Sequence, residues 1–377
     1  MDMVYDNFPL GIATGNAFCN RKQEIARLDR NIKSATPTLI TAPRRFGKTS
    51  LAMRVLGTCG IPYAMIDLFH CATEQDILDE VANGFCSLID KIETKPEKAL
   101  RLAREFFSDS RLEVSIRNGS LSLSINRKEK ELSDTLRDII KQFEAMIEKK
   151  QKKVVFFIDE FQIVTQFSAS FSIEATLRYF VQKSKNICFL FSGSNRHLLS
   201  KIFDDSKRPF YGLCDRIVLE KISRESYKPY VQEKLGETWG SSLTTDIVDR
   251  ILDDSECHPY YVNLLCRRLS VVTDLQSPFV VTNCWDTIAR EHRSLFANEI
   301  DLMSTNQRRL LIGIAKSGSV ESPMGPIFSG KIGISTPSIR QALLVLEQRD
   351  YVFKASDGSF NILDPLLKRV LQIDLNK

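Results

Sequence analysis

The chain has 377 residues, 43% hydrophobic and 26% charged, with a formal net charge of +5, an ordinary globular balance but too long for one core, so two or three domains are expected. No apolar run approaches the roughly 18 residues that span a bilayer, and Asp2 and Asp6 stand where an export signal would carry Lys or Arg, which predicts a cytoplasmic protein with no membrane partner. The nine cysteines stand singly, with no C-x-x-C pair and only four scattered histidines, which argues against a zinc cage or a disulfide framework.

In chain order, Thr38–Thr41 reads as a short strand running into a loop, Ala42–Gly47, and a helix then starts at Lys48 with Leu51, Val55 and Leu56 on one face. Tyr63–Asp67 is a second strand, and Thr73 opens a long helix with Glu74 and Asp76 in its first turn, where the helix dipole favours acids. Glu113–Asn126 alternates apolar and polar residues around Asn118–Gly119, a β-hairpin signal, because Asn-Gly accepts the positive φ angles of a type I′ turn. Val154–Ile158 and Ile187–Phe191 are continuous apolar runs, as strands buried on both faces require. After Ile222 the pattern is helical to about Met303. A last block follows, with a helix Gln307–Lys316, a Gly/Pro/Ser-rich connection, a helix Thr336–Gln348, and a hairpin Tyr351–Leu363 turning at Asp357–Gly358.

Strands alternating with helices predict an α/β fold with a parallel sheet. The expected division is a lead-in segment and helix over 1–35, and a core over 36–222 with a hairpin insertion near 113–126. A helical lid over 223–303 and a winged-helix domain over 304–377 complete it. From Ser304 to Lys377 ten Lys/Arg face six Asp/Glu, +4 of the whole chain's +5, which hints at an anionic partner for that segment.

The segment Ala42-Pro43-Arg44-Arg45-Phe46-Gly47-Lys48-Thr49 matches the phosphate-loop pattern G-x-x-x-x-G-K-[ST], with Ala42 at the first glycine position, and Ser50 follows. Gly47 lets backbone approach phosphates, amide N–H groups face the anion, Lys48 supplies a cation for the β and γ oxygens, and the Thr49 hydroxyl can ligate Mg²⁺. The strand before Asp159-Glu160 places both carboxylates at the carboxyl edge of the sheet, where open α/β sheets bind ligands. Asp159 would hold Mg²⁺ through its water shell, and Glu160 would orient or deprotonate the attacking water in hydrolysis of ATP to ADP and phosphate. The strand Ile187–Phe191 runs into Ser192-Gly193-Ser194-Asn195, where Ser194 and Asn195 are candidates to sense the γ-phosphate and a plain turn is the alternative reading.

These segments, with Phe18–Leu28, His258-Pro259-Tyr260-Tyr261 and Asp364–Arg369, resemble the archaeal-type ATPases of the STAND/AAA+ P-loop branch, near the archaeal replication-initiator ATPases. The resemblance covers nearly the whole chain in order, including Ser335–Glu347 of the winged helix. It implies an ASCE/AAA+-type sheet followed by a helical lid and a winged helix. It also implies that Phe18–Glu24 packs near the adenine with Arg21 as its polar member, and that His258 is a nucleotide sensor on the lid. One position departs: members usually read P-L-Y-G-R after the sensor strand, and this chain reads Pro209-Phe210-Tyr211-Gly212-Leu213. Arg208 and Arg216 are the alternative cations, and slow intrinsic hydrolysis stays open because a trans-acting arginine raises such rates by ~10³-fold or more.

The winged helix admits two uses. It can dock in double-stranded DNA through Ser338, Arg340 and Gln341 with Lys354 of the wing on phosphate, or fold back on the ATPase as a regulator. Leu343, Leu344 and Leu346 are expected to pack inward under both. The leading reading is a Mg²⁺-dependent ATPase acting as a nucleotide-dependent switch, whose effector is a protein partner or its own assembly. A non-hydrolysing nucleotide-dependent adaptor or DNA-binding scaffold is the alternative.

Overall fold

The computed structural model describes residues 6–93, 95–107, 112–117, 120–125, 132–167, 170–239, 243–272 and 277–373. The chain divides into two units, one of residues 21–44 and 48–219, the other of residues 1–20, 45–47 and 220–377.

The first unit is built on a parallel sheet. Helix α1 (Lys22–Lys33) precedes β1 (Thr38–Thr41), and α2 (Lys48–Leu56) follows the loop. Then come β2 (Tyr63–Asp67), α3 (Glu74–Ile92), α4 (Pro96–Phe107), the strands β3 (Leu112–Arg117) and β4 (Ser120–Ile125), and α5 (Leu132–Lys150). The unit closes with β5 (Val154–Asp159), α6 (Ser170–Lys183), β6 (Ile187–Gly193), α7 (Arg196–Phe203) and β7 (Asp215–Val218). The sheet order is β2-β5-β6-β1-β7, with every neighbouring pair parallel. Every residue of β5 and β6 is buried, as their unbroken apolar runs require of central strands. Register aligns Asp67 with Asp159, and Thr41 with Gly193 and Val218, so the loop after β1 and the ends of β5 and β6 meet at one edge. Thr73 begins α3 with a reciprocal capping box to Asp76. The β3–β4 ribbon stays outside the main sheet, with Arg117 opposite Ser120; the Asn118–Gly119 turn lies outside the described residues.

Two elements have little signature in the sequence. Strand β7 is only four residues, Asp-Arg-Ile-Val, and its single fully buried position is Ile217. It forms because β1 offers an unpaired edge and because Asp215 accepts from Arg27 and from Asn31 Nδ2 at 2.7 Å, both on α1. Helix α4 falls in a stretch where no element is expected.

The second unit holds α8 (Arg224–Trp239), α9 (Thr245–Asp254), α10 (Pro259–Leu269), α11 (Pro278–Glu291) and α12 (Arg293–Asp301). Their shared core contains Trp285, Tyr261, Val231 and Ile247, and Phe8 from the N-terminal segment is buried in it. That segment is tied down by Tyr230 donating to the carbonyls of Asn7 at 2.7 Å and Ala17 at 3.2 Å, and by Asn263 donating to Pro9 at 2.7 Å.

The winged-helix part of this unit comprises α13 (Thr305–Ser317), α14 (Pro326–Ile332), α15 (Thr336–Gln348), β8 (Val352–Lys354), β9 (Phe360–Ile362) and α16 (Pro365–Ile373). The Gly/Pro/Ser-rich connection is therefore partly helical: Pro326 sits in the first turn, where its missing N–H costs nothing, and Gly333 ends the helix in the left-handed region. A second expectation is corrected at Leu344, which is 55% exposed while Leu343 and Leu346 are buried; Ile339, Ala342, Leu343 and Leu346 already fill the inward face. Helix α16 is packed on two sides, with Leu366 and Val370 in the lid core and Leu367 and Leu371 in the winged-helix core. Among the described residues no helix is long and apolar enough to cross a membrane.

Candidate functional site

The loop between β1 and α2 owes its shape to two residues with positive φ, Arg45 at 66° and Gly47 at 89°. Glycine takes that conformation freely, whereas a side chain makes it costly. Ala42 is fully buried and has no positive φ, so the departure from glycine at that position asks nothing unusual of the backbone. The Lys48 side chain is buried and its ammonium donates to the carbonyls of Ala42 and Pro43, both at 3.2 Å. Ser50 is buried in the first turn of the helix. The Arg44 guanidinium lies 5.7 Å from the centre of the Phe69 ring.

Beside this loop, the ends of β5 and β6 assemble a compact polar cluster. Thr49 Oγ1 donates to Asp159 Oδ2 at 2.7 Å, and Ser192 Oγ donates to Asp159 Oδ1. The same Oδ1 accepts the Glu160 backbone N–H at 2.9 Å. Glu160 is left-handed, with φ 52° and ψ 40°, which turns the chain sharply out of β5 and separates its carboxylate from that of Asp159. Glu160 Oε2 accepts from Ser194 Oγ at 2.8 Å, from Ser194 N at 3.3 Å, and from Gln162 Nε2. The sequence-derived set Lys48, Thr49, Asp159 and Glu160 thus comes together in three dimensions. The donor chemistry fits a Mg²⁺–phosphate ligand: a hydroxyl and a carboxylate in direct contact, with a buried ammonium on the residue before the hydroxyl.

Other expected residues are placed differently. Asn195 is the N-cap of α7, its side chain accepting from Leu198 N at 3.0 Å; Ser194, its neighbour, is the one aimed at Glu160. Arg21 is buried at the start of α1, left-handed, with its guanidinium 3.2 Å from Glu24. Arg208 pairs with the fully buried Glu174, and Arg216 with Asp204, so both of these arginines have carboxylate partners within the unit. Leu213 packs partly buried against the core.

In the second unit, residues 45–47 lie with the lid helices. The Phe46 ring meets His258 edge-on at 4.7 Å, and the Arg45 guanidinium stands 4.3 Å over Tyr260. His258 precedes Pro259 at the start of α10, is 3% exposed, and packs on Tyr261 at 4.7 Å. Burial, with Lys221 and Arg45 nearby, pushes its imidazole down to about 3, so it is neutral near pH 7. Its Nδ1 is buried with no hydrogen-bond partner among the described residues.

Three residues of the cluster, Ser192, Gln162 and Gly193, lie in the segments 159–162 and 192–195 that the sequence singles out, but nothing in the sequence gives any of them a role. Only the hydrogen bonds distinguish them.

Comparison with known proteins bears on the same features. A family model described as an ATPase domain predominantly from Archaea matches residues 18–227, more than half of the chain, and a probable winged helix domain matches residues 294–373. Among solved structures, the Walker-type ATPase PABY2304 of Pyrococcus abyssi superposes with a TM-score of 0.68 at 15% identity, covering 94% of this chain and 96% of that one. The Aeropyrum pernix ORC2 protein, solved with ADPNP and ADP, gives 0.56 at 14% identity and covers 95% of each chain. The Aeropyrum pernix ORC1 protein, solved with DNA, gives 0.52 at 10% identity, covering 99% of this chain and 96% of that one. Comparison with curated proteins gives no match. At these identities the solved structures share the fold, a parallel P-loop sheet carried with a winged helix. The family match, spanning both the phosphate loop and the acidic pair, shows that the chain belongs to the ATPase domains found predominantly in Archaea.

Proposed function

We propose that the chain binds ATP with Mg²⁺ at Pro43–Ser50, hydrolyses it to ADP and phosphate, and uses the bound nucleotide to set the state of its lid and winged helix. The observation that carries this is the Thr49–Asp159 contact at 2.7 Å beside the buried Lys48 ammonium and the separately held Glu160 carboxylate. Lys48 would exchange its two loop carbonyls for β and γ phosphate oxygens, which are stronger acceptors because they are charged. Thr49 and Asp159 would hold Mg²⁺, which when bound neutralises phosphate charge. Glu160 would take the proton of the attacking water. Ser194 is better placed than Asn195 to report on the γ-phosphate, since it contacts Glu160 while Asn195 caps a helix. Arg21 and His258 are kept as nucleotide-contacting residues, by family resemblance. With Arg208 and Arg216 both paired in cis and Leu213 apolar, turnover by the isolated chain is slow.

For residues 304–377 the regulatory reading is favoured over DNA contact, with 223–303 as the lid it acts on. Helix α16 is bound into the lid by its apolar residues and by Tyr261 donating to Asp364 at 2.5 Å, while Arg340 is the single exposed cation of α15 and shares its face with exposed Leu344. Effector action would then pass to a protein partner or to assembly of this chain, in a cytoplasmic setting consistent with nine free cysteines.

Steady-state phosphate release is the test. Wild type should turn over ATP with Mg²⁺, and Glu160→Gln should bind nucleotide normally with release at background. Lys48→Ala should lose nucleotide binding. Background release from wild type would remove the hydrolase reading, and retained affinity in Lys48→Ala would place the site elsewhere.

A further inference from the structure

We infer that Gln162, seated in a slot that only Gly193 leaves open, is a positioning residue for Glu160: together with Ser194 it holds one carboxylate oxygen so that the other faces the attacking water. The inference rests on the reading of Glu160 as the base.

Three donors converge on Glu160 Oε2, the Gln162 side-chain amide, the Ser194 hydroxyl at 2.8 Å and the Ser194 backbone N–H at 3.3 Å. A carboxylate gripped at one oxygen by donors from two directions cannot rotate about its terminal torsion, which is otherwise broad. Proton abstraction then falls to Oε1, at a fixed angle, and orientation of this kind is a large part of a catalytic barrier.

Gln162 is unusual as a core residue. Only 4% of it is exposed, and its Oε1 is buried without a hydrogen-bond partner among the described residues. Leaving a carbonyl unsatisfied costs stability, so a packing residue of similar size would be the stabler choice. Gly193 makes the same point from the other side. Its φ is not positive, so its conformation does not call for glycine. Space does: a Cβ there would sit 2.0 Å from Gln162 Oε1 and 3.1 Å from Leu199 Cδ1. The end of β6 is therefore shaped around the Gln162 amide, and the amide is aimed at Glu160. The Gln162 amide donates to Glu160 while the Thr49 hydroxyl donates to Asp159, so Gln162 belongs to orientation of the base and not to nucleotide affinity.

The test is single-turnover and steady-state ATP hydrolysis by Gln162→Met, Ser194→Ala and Gly193→Ala, with ADP affinity and melting temperature measured alongside. Met keeps the length and removes the donor. The expected result is a fall in kcat of about ten- to hundredfold for Gln162→Met, the range for one hydrogen bond to a charged group, with KM and ADP affinity within about twofold. Gln162→Asn, which retains a shorter donor, should recover part of the loss. Gly193→Ala should be as slow as Gln162→Met, and combining it with Gln162→Ala should cost no more than Gln162→Ala alone, because the clash and the donor are then both gone. Wild-type kcat in Gln162→Met, while Glu160→Gln is inactive, would overturn the clamp and leave the base standing. Activity in Glu160→Gln would overturn both. Should Gln162→Met melt early, Ser194→Ala, on a less buried side chain, decides: unchanged kcat there overturns the clamp.

Discussion

Glu174 and Arg208 show how a single buried charge shapes this molecule. The carboxylate is fully buried on α6, its Oε2 unpartnered among the described residues, and the guanidinium of Arg208 reaches it from a partly exposed position. Burial outweighs the arginine and raises Glu174 from 4.5 to about 7. Between those values the folded protein binds a proton that the unfolded chain has released, so the stabilising contribution is complete below pH 4.5 and is lost as pH rises through 7. Glu174→Gln should therefore flatten the decline of melting temperature between about pH 4.5 and 7. Equal slopes for variant and wild type would refute this. The same pair occupies Arg208, one of two arginines considered as substitutes for the missing residue at Leu213. The substitution at 213 is legible in the sequence, but the engagement of its neighbours is not, because an ion pair between positions 34 apart leaves no mark on composition or period.

Among the elements, α16 has two packing faces and a cap that serves both the helix and the lid. Asp364 Oδ1 accepts the backbone N–H groups of Leu366 at 2.8 Å and Leu367 at 3.0 Å, while Oδ2 takes the Tyr261 hydroxyl at 2.5 Å. Glu256, held below its usual range by Lys221 and Lys368 against the opposing effect of burial, adds a second tie to this helix. Asp364→Ala should lower unfolding free energy by about 2–4 kcal/mol, as loss of a cap plus a buried hydrogen bond. Tyr261→Phe should cost about 1 kcal/mol, and in a double-mutant cycle by denaturant unfolding the two should be non-additive. Additive losses would mean the bond carries no coupling. Long elements with a clear period are legible in the residues alone: β5 and β6 from unbroken apolar runs, α3 from the acids that follow Thr73, α15 to the residue. Short elements that depend on a neighbour are not. Strand β7 exists because β1 has an open edge, α14 because Pro326 and Gly333 bracket seven residues, and Leu344 is outward because four other side chains have filled the inner face.

At the scale of the whole chain, the +4 carried by residues 304–377 is spread thin. Arg369 is paired with Asp286 at 2.6 Å and Lys368 with Glu256 at 2.7 Å, and Lys354 sits 5.7 Å from the Phe360 ring centre within the wing. Arg309, Lys316, Lys331, Arg340, Arg349 and Lys354 stay exposed but are scattered over α13, α14, α15 and the wing, and each phosphate contact made would steepen the salt dependence by about one unit. Duplex DNA at low salt is therefore expected to leave ATP turnover unchanged. A severalfold rise that disappears between about 50 and 200 mM salt would move the module to the DNA-binding class.

The segment around Phe8 has a consequence in time as well as space. Its anchors, Tyr230 and Asn263, lie 223 and 254 residues further along the chain from Asn7 and Pro9. During synthesis these residues emerge ahead of the parallel sheet and wait through all of it before a docking surface exists. The entropy of closing so wide a loop grows only slowly with its length, but the delay does not shrink. The sheet unit can mature on the ribosome while Phe8 is still in water, and the lid core closes only when this strap, made before the sheet, comes home.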